Sequence, residues 1–127
     1  KKNYFTNYNK ISLVFKKNDT SYKIYSIAGV IYFDDDSKKC IEKYKKVLDD
    51  VDNLFVDYEK NILNDAKHPS DPTGETRINS TTFFHKSGSS AEIACYSPGK
   101  SYNMENYVLV GVDSAEFTNW ILRYYEN

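Results

Sequence analysis

Apolar and polar positions change rhythm several times along this chain of 127 residues, and each rhythm predicts an element. Residues 1–9 are polar and aromatic without a clear period and read as a leading, partly extended segment. Ile11, Leu13 and Phe15 alternate with Ser12 and Lys16, the period of a strand. Lys17 to Ser21 is turn chemistry, because Asn18 and Asp19 tolerate left-handed backbone angles and bond locally. Tyr22 to Phe33 predicts a second strand, antiparallel to the first. Its later half, Ile27 to Phe33, is apolar on both faces, which predicts an inner strand covered on both sides.

Asp34-Asp35-Asp36-Ser37 stops that strand and starts a helix, since Asp36 or Ser37 can cap free amide hydrogens and carboxylates favour the positive helix end. Cys40, Ile41, Tyr44, Val47, Leu48, Val51, Leu54, Phe55, Tyr58 and Ile62 then recur at spacings of three and four. That stripe predicts one continuous amphipathic helix over 37–63, lying flat on a sheet. Asn64 to Asn79 carries His68-Pro69, Asp71-Pro72 and Thr73-Gly74 and reads as a long surface loop.

Ser80 to Lys86 predicts a third strand, Ser87 to Ser90 a hairpin turn, and Ala91, Ile93 and Cys95 a fourth strand. Ser97-Pro98-Gly99 ends it. Tyr107 to Val112 predicts a fifth strand. Asp113-Ser114 caps a last helix whose stripe is Phe117, Trp120, Ile121 and Tyr124. On this stripe Trp120 is expected in the core, with a groove wall as the other reading.

The expected fold is therefore α+β, one domain over 1–127. It is a mainly antiparallel sheet of five strands carrying one long and one short helix, in the order β-β-α-β-β-β-α. That order resembles profilin-like or longin-like domains. The resemblance is one of element order and implies an architecture alone.

Composition narrows function mostly by exclusion. Hydrophobic residues make up 40% and charged residues 28%, with a net charge of −1. No charge field over the whole molecule suggests a nucleic-acid or membrane-surface partner. The longest apolar run, Ile24 to Phe33, is broken by Ser26 and Gly29, and falls far short of the roughly 18–20 residues of a membrane span. There are 15 lysines against Arg77 and Arg123, with 12 asparagines and 12 tyrosines. These abundant residues have A/T-rich codons, which explains the tyrosines before a stacking or sugar-binding surface does. Tyrosine also suits strands. The only methionine is Met104, so the first residue is not a translation start, and a removed signal peptide is one way to arrive there.

Cys40 falls in the first turn of the long helix and Cys95 in the fourth strand, in phase with Ile93. If the helix packs on that face, both sulfurs enter one layer, and a Cys40–Cys95 disulfide is expected. Closing that loop stabilises by roughly 3–4 kcal/mol in the chain-entropy model. Such bonds persist in oxidising compartments, so a periplasmic or secreted address is expected. The alternative is two free core cysteines. No Cys-x-x-Cys pair suggests redox catalysis, and His68 and His85 lie too far from the cysteines for a recognised zinc spacing.

Among other constellations, Asp34-Asp35-Asp36 lacks the glycine and glutamate of a calcium loop and reads as a solvated helix start. His85 reads as a surface residue near a turn. His68 shares its loop with Asp71, Glu75 and Arg77, which could line a site or simply be polar loop. No Gly-x-Ser-x-Gly elbow or phosphate-binding glycine loop is present. Asn18-Asp19-Thr20 and Asn79-Ser80-Thr81 match the glycosylation sequon at expected turn or loop-edge positions.

The reading leans away from an enzyme: no catalytic residue, cofactor or metal ligand is assigned. The first expectation is a small secreted or periplasmic domain that binds a protein partner or small ligand. Its contact surfaces would be the 64–79 loop and an open sheet edge, because edge strands can accept another strand. A small hydrolase or transferase using His68 with Asp71 or Glu75 is the second. A structural subunit of an envelope or surface assembly, with a large exposed apolar patch, is the third.

Overall fold

The two leading runs make an antiparallel hairpin. β1 (Lys10–Phe15) pairs with β2 (Ile24–Tyr32), with Leu13 opposite Ile27. This computed structural model describes residues 7–126. Residues 1–6, most of the leading segment, and Asn127 lie outside the described residues. Asp19 organises the hairpin turn, accepting from the Ser21 amide at 2.8 Å and the Ser21 hydroxyl at 2.5 Å. Asn18 and Tyr22 take left-handed φ values of 65° and 55°.

α1 (Ser37–Val51) starts where the sequence predicts. The Lys39 amide donates to the Asp36 carboxylate at 3.0 Å, so Asp36 is the cap. The continuous helix expected over 37–63 is corrected. α1 ends at Val51, a 3₁₀ turn covers Asp52–Phe55, and β3 (Glu59–Lys67) follows. The apolar residues beyond Val51 keep helical spacing for another reason. Phe55 stacks on Phe83 with ring centres 4.6 Å apart, and Tyr58 meets His85 at 4.9 Å. They reach the core from a bend. β3 is almost wholly exposed and shows no alternation, so only its pairing with β4 (Arg77–Phe84) makes it a strand.

β5 (Ser90–Ser97) follows β4 through a turn in which Gly88 has φ +93°, a backbone that L side chains rarely adopt. β6 (Tyr107–Asp113) and α2 (Ala115–Glu126) complete the chain. The Ser114 hydroxyl accepts from the Phe117 amide at 3.2 Å and caps α2, while Asp113 belongs to β6.

The fold is α+β with an antiparallel sheet and two helices among the described residues. The sheet has six strands in the order β1-β2-β6-β5-β4-β3, where five were expected. The added β3 makes the element order β-β-α-β-β-β-β-α and departs from the order that resembles profilin-like or longin-like domains. β3 and Arg77–Asn79 of β4 also absorb both ends of the expected 64–79 loop, which shrinks to 68–76.

α1 carries the chain from β2 toward the far edge and crosses one face of the sheet. Its buried Cys40 and Tyr44 pack there with Phe83, Ala91, Ile93, Cys95 and Val108. Tyr44 and Thr81 share a buried hydroxyl–hydroxyl hydrogen bond of 2.8 Å. The Cys40 and Cys95 sulfurs lie at disulfide distance, with Cα atoms 5.8 Å apart. α2 lies on the opposite face, where Thr118 is buried and shares a 2.9 Å hydrogen bond with Ser90. β2 is an inner strand, yet Ile27 stays exposed because α1 does not extend over that end of the sheet.

Candidate functional site

Two concavities concern the residues singled out from sequence. The first lies where loop 68–76 meets the turn after β5. It encloses about 160 Å³ and is lined by His68, Asp71, Tyr96, Tyr102, Met104 and Tyr107, among others. Tyr96 and Tyr107, cross-strand neighbours on β5 and β6, stack with centres 5.0 Å apart. His68 sits 6.0 Å from Tyr96 and 6.5 Å from Tyr125 of α2.

The polar groups of this hollow are spent on holding it together. Buried Asp71 accepts from the Thr73 amide at 2.9 Å, the Thr73 hydroxyl at 2.6 Å, the Thr76 amide at 2.7 Å and the Tyr102 hydroxyl at 2.9 Å. The Thr73 bonds foremost hold its carboxyl well below the usual carboxylate range, so it is a poor base. The His68 Nδ1 accepts from the Ser70 amide at 3.1 Å and meets the Ser70 hydroxyl at 2.7 Å. Glu75 points away and accepts from the Ser101 hydroxyl at 3.3 Å. Of the residues named for a hydrolase, His68 and Asp71 thus share one wall without a side-chain hydrogen bond between them, and Glu75 is not in it. Arg77 pairs with Asp65 instead, at 2.9 Å.

Beneath Tyr96 lies a group that sequence reading did not single out. The Tyr96 hydroxyl donates to half-buried Glu92 at 2.6 Å, and Ser26 donates to Asp113 at 2.5 Å in the same layer under α2. Burial, with the Asp113 charge added, pushes the Glu92 carboxyl up, and burial pushes Asp113 up. Glutamate amid strand residues gives no sign of this in sequence, because its burial depends on where α2 docks.

The second concavity is a groove of about 410 Å³ between β1 and α2. Val14, Phe15, Lys16, Lys17, Tyr25, Glu116, Phe117 and Trp120 line it. Trp120 is corrected from core to groove wall and is 55% exposed. α2 turns Thr118 to the sheet, which leaves Phe117, Trp120 and Tyr124 stacked along its flank with centres 5.8 and 5.7 Å apart. Among the described residues β1 is the outermost strand, and one side of its backbone has no strand neighbour. A register shift between Val14 and Phe15 turns both side chains toward the groove. Lys16 crosses the groove to Glu116 at 2.6 Å. The spacing of Phe117, Trp120 and Tyr124 on one helix flank was the sequence signal for this wall.

The remaining candidates fall elsewhere. His85 lies in the β4–β5 turn, its Nδ1 against the Ser87 hydroxyl at 2.8 Å. Asn18 is exposed in its turn. Asn79 is not at a loop edge: it sits within β4, and its side-chain oxygen accepts from the Asp65 amide at 3.0 Å. The neighbouring Asp34 carboxylate pushes the Glu105 carboxyl up. Among the described residues no helix is long and apolar enough to cross a membrane. No protein-family model matches this chain, and no curated protein and no solved structure matches it.

Proposed function

We propose that this chain is a non-enzymatic domain that works in a periplasmic or secreted setting and grips a partner protein in the groove between β1 and α2. The observation that carries the reading is the Phe117–Trp120–Tyr124 ring stack. Trp120 and Tyr124 are exposed and Phe117 is half-buried beside Val14 and Phe15, along a strand with one side open among the described residues. Aromatic side chains bury large areas at small entropic cost and dominate protein contacts. A cysteine pair at disulfide distance supports the oxidising address. The hydrolase reading loses support because Asp71 is consumed by three donors within its own loop and a fourth from Tyr102.

The test is site-specific photocrosslinking in the source cells, with the reactive side chain at position 120 or, as control, at exposed Met104. The expected result is one discrete adduct from position 120, lost when Phe15 is replaced by serine, and none from position 104. Equal adducts from both positions, or an adduct from 104 alone, would overturn the reading.

A further inference from the structure

Resting on that reading, we infer that the groove accepts its partner as an extended segment with acidic flanks, added as a new strand along β1.

The two edges that the sheet leaves open among the described residues differ in kind. β3 carries Glu59, Lys60, Asp65 and Lys67, its register breaks between Leu63 and Ala66, and Asp65 takes φ +46°. β1 also has a register shift, between Val14 and Phe15, so the difference is the charge spread along β3, a device that keeps an edge from pairing. β1 has the sequence Lys-Ile-Ser-Leu-Val-Phe, with no charge between its ends. Its side chains offer apolar surface on both faces. Val14 and Phe15 turn to the groove, while Ile11 and Leu13 lie exposed toward the α1 face. There Ile11 joins Tyr8, Ile27, Val110 and Val112 around a second apolar hollow of about 200 Å³. A strand laid against β1 would send alternate side chains into each hollow. The backbone ladder would give affinity and the two hollows would select side chains.

Charge chooses the occupant. Lys10 stands at one end of β1, with Lys16 and Lys17 at the other and Lys23 across the hairpin, 5.5 Å from the Tyr25 ring centre. The nearby acids are occupied. Glu116 holds Lys16, and Asp19 holds the Ser21 amide and hydroxyl. Lys10 and Lys17 have no ion-pair partner among the described residues. A second copy of the chain is a poor occupant, because antiparallel β1–β1 pairing would set Lys10 of one copy against Lys16 and Lys17 of the other. A strand with glutamate or aspartate at its ends meets these lysines with opposite sign.

The test uses the whole chain and three synthetic peptides of about nine residues. The first alternates valine and threonine between paired glutamates. The second has lysines for the glutamates. The third is the first with alternate backbone nitrogens methylated. Trp120, the single tryptophan, reports by its fluorescence, and hydrogen exchange reports on the amides of Lys10–Phe15. The glutamate peptide is expected to shift Trp120 emission to the blue and slow β1 exchange. The other two are expected to bind about tenfold or more weakly. Lys17→Glu, at an exposed residue, is expected to weaken the glutamate peptide and strengthen the lysine peptide.

Equal binding by the methylated peptide, or a Trp120 shift without β1 protection, would overturn strand addition while leaving the groove as the contact site. Equal binding by the lysine peptide would overturn the acidic assignment. No response to any peptide at about 1 mM would overturn the inference as a whole. The position-120 crosslink would still decide the underlying reading separately.

Discussion

Tyr96 donates its hydroxyl to Glu92 across 2.6 Å, from a position two same-face residues along β5. The pair lies in the layer that α2 covers, where Asp113 stands nearby as a second carboxylate. Burial raises both carboxyls above their ordinary range. For such groups the stabilising contribution is full below the unfolded-state value and is lost as pH rises through the folded-state value. Stability should therefore decline as pH rises above the ordinary carboxylate values toward the alkaline side. Glu92→Gln keeps an acceptor for Tyr96 and removes the buried charge. It should raise stability on the alkaline side by about 1–2 kcal/mol and flatten the decline. Thermal melts of both proteins across that range check this. An unchanged slope would count against a buried carboxylate.

Asp71 has the opposite sign. Its carboxyl is held low by Thr73, Thr76 and Tyr102, so its contribution is present above the ordinary aspartate value and is lost as pH falls through the folded-state value. Asp71→Asn removes the charge and turns one of the two accepting oxygens into an amide donor, and should lower Tm by about 5 °C. It should leave the position-120 crosslink in place. Loss of the crosslink without loss of Tm would return the 68–76 loop to the contact surface.

Cys40 ties the first turn of α1 to the middle of β5, over a sequence separation of 55 residues. Replacing both cysteines with serine should destabilise the fold by about 2–4 kcal/mol. Denaturant unfolding with and without reductant measures the difference. Native protein alkylated under non-reducing conditions should gain no label. Two labelled thiols would remove both the bond and the argument for an oxidising compartment.

Trp120→Ala should change stability by no more than about 0.5 kcal/mol, since the side chain is exposed. A large loss of stability would mean that the ring supports α2 and is not a waiting contact.

Local rhythm carried much of the architecture. Asp36 as helix cap, Gly88 as turn residue and Ser114 as the second cap are chemical choices made within a few residues, and the chain displays them. Cys40 and Cys95 could be assigned to one layer because helix stripe and strand alternation each fix a direction. What failed was non-local. Leu54, Phe55, Tyr58 and Ile62 continue the helical spacing by coincidence. Phe55 and Tyr58 answer to Phe83 and His85 on another element, and Ile62 pairs across to Thr81. No window along β3 contains β4, so no window shows a strand. Trp120 was misplaced for a related reason. A helix stripe states which residues are apolar, while the docking of Thr118 on Ser90 decides which of them the sheet covers. The loop around His68 was visible as a candidate. That Asp71 serves as its internal clasp follows from hydroxyls at positions 73 and 102, one of them distant in sequence.

The strand pairing places Ser26 against Asp113, so the opening hairpin finds its seat only on the last strand. One bank of the groove comes from β1 and the other from α2, the first and last of the described elements. A chain interrupted before Tyr107 would lack both the seat and one bank, however well its middle had formed. On the proposed reading, a copy clipped between β2 and β6 would not compete for the same target.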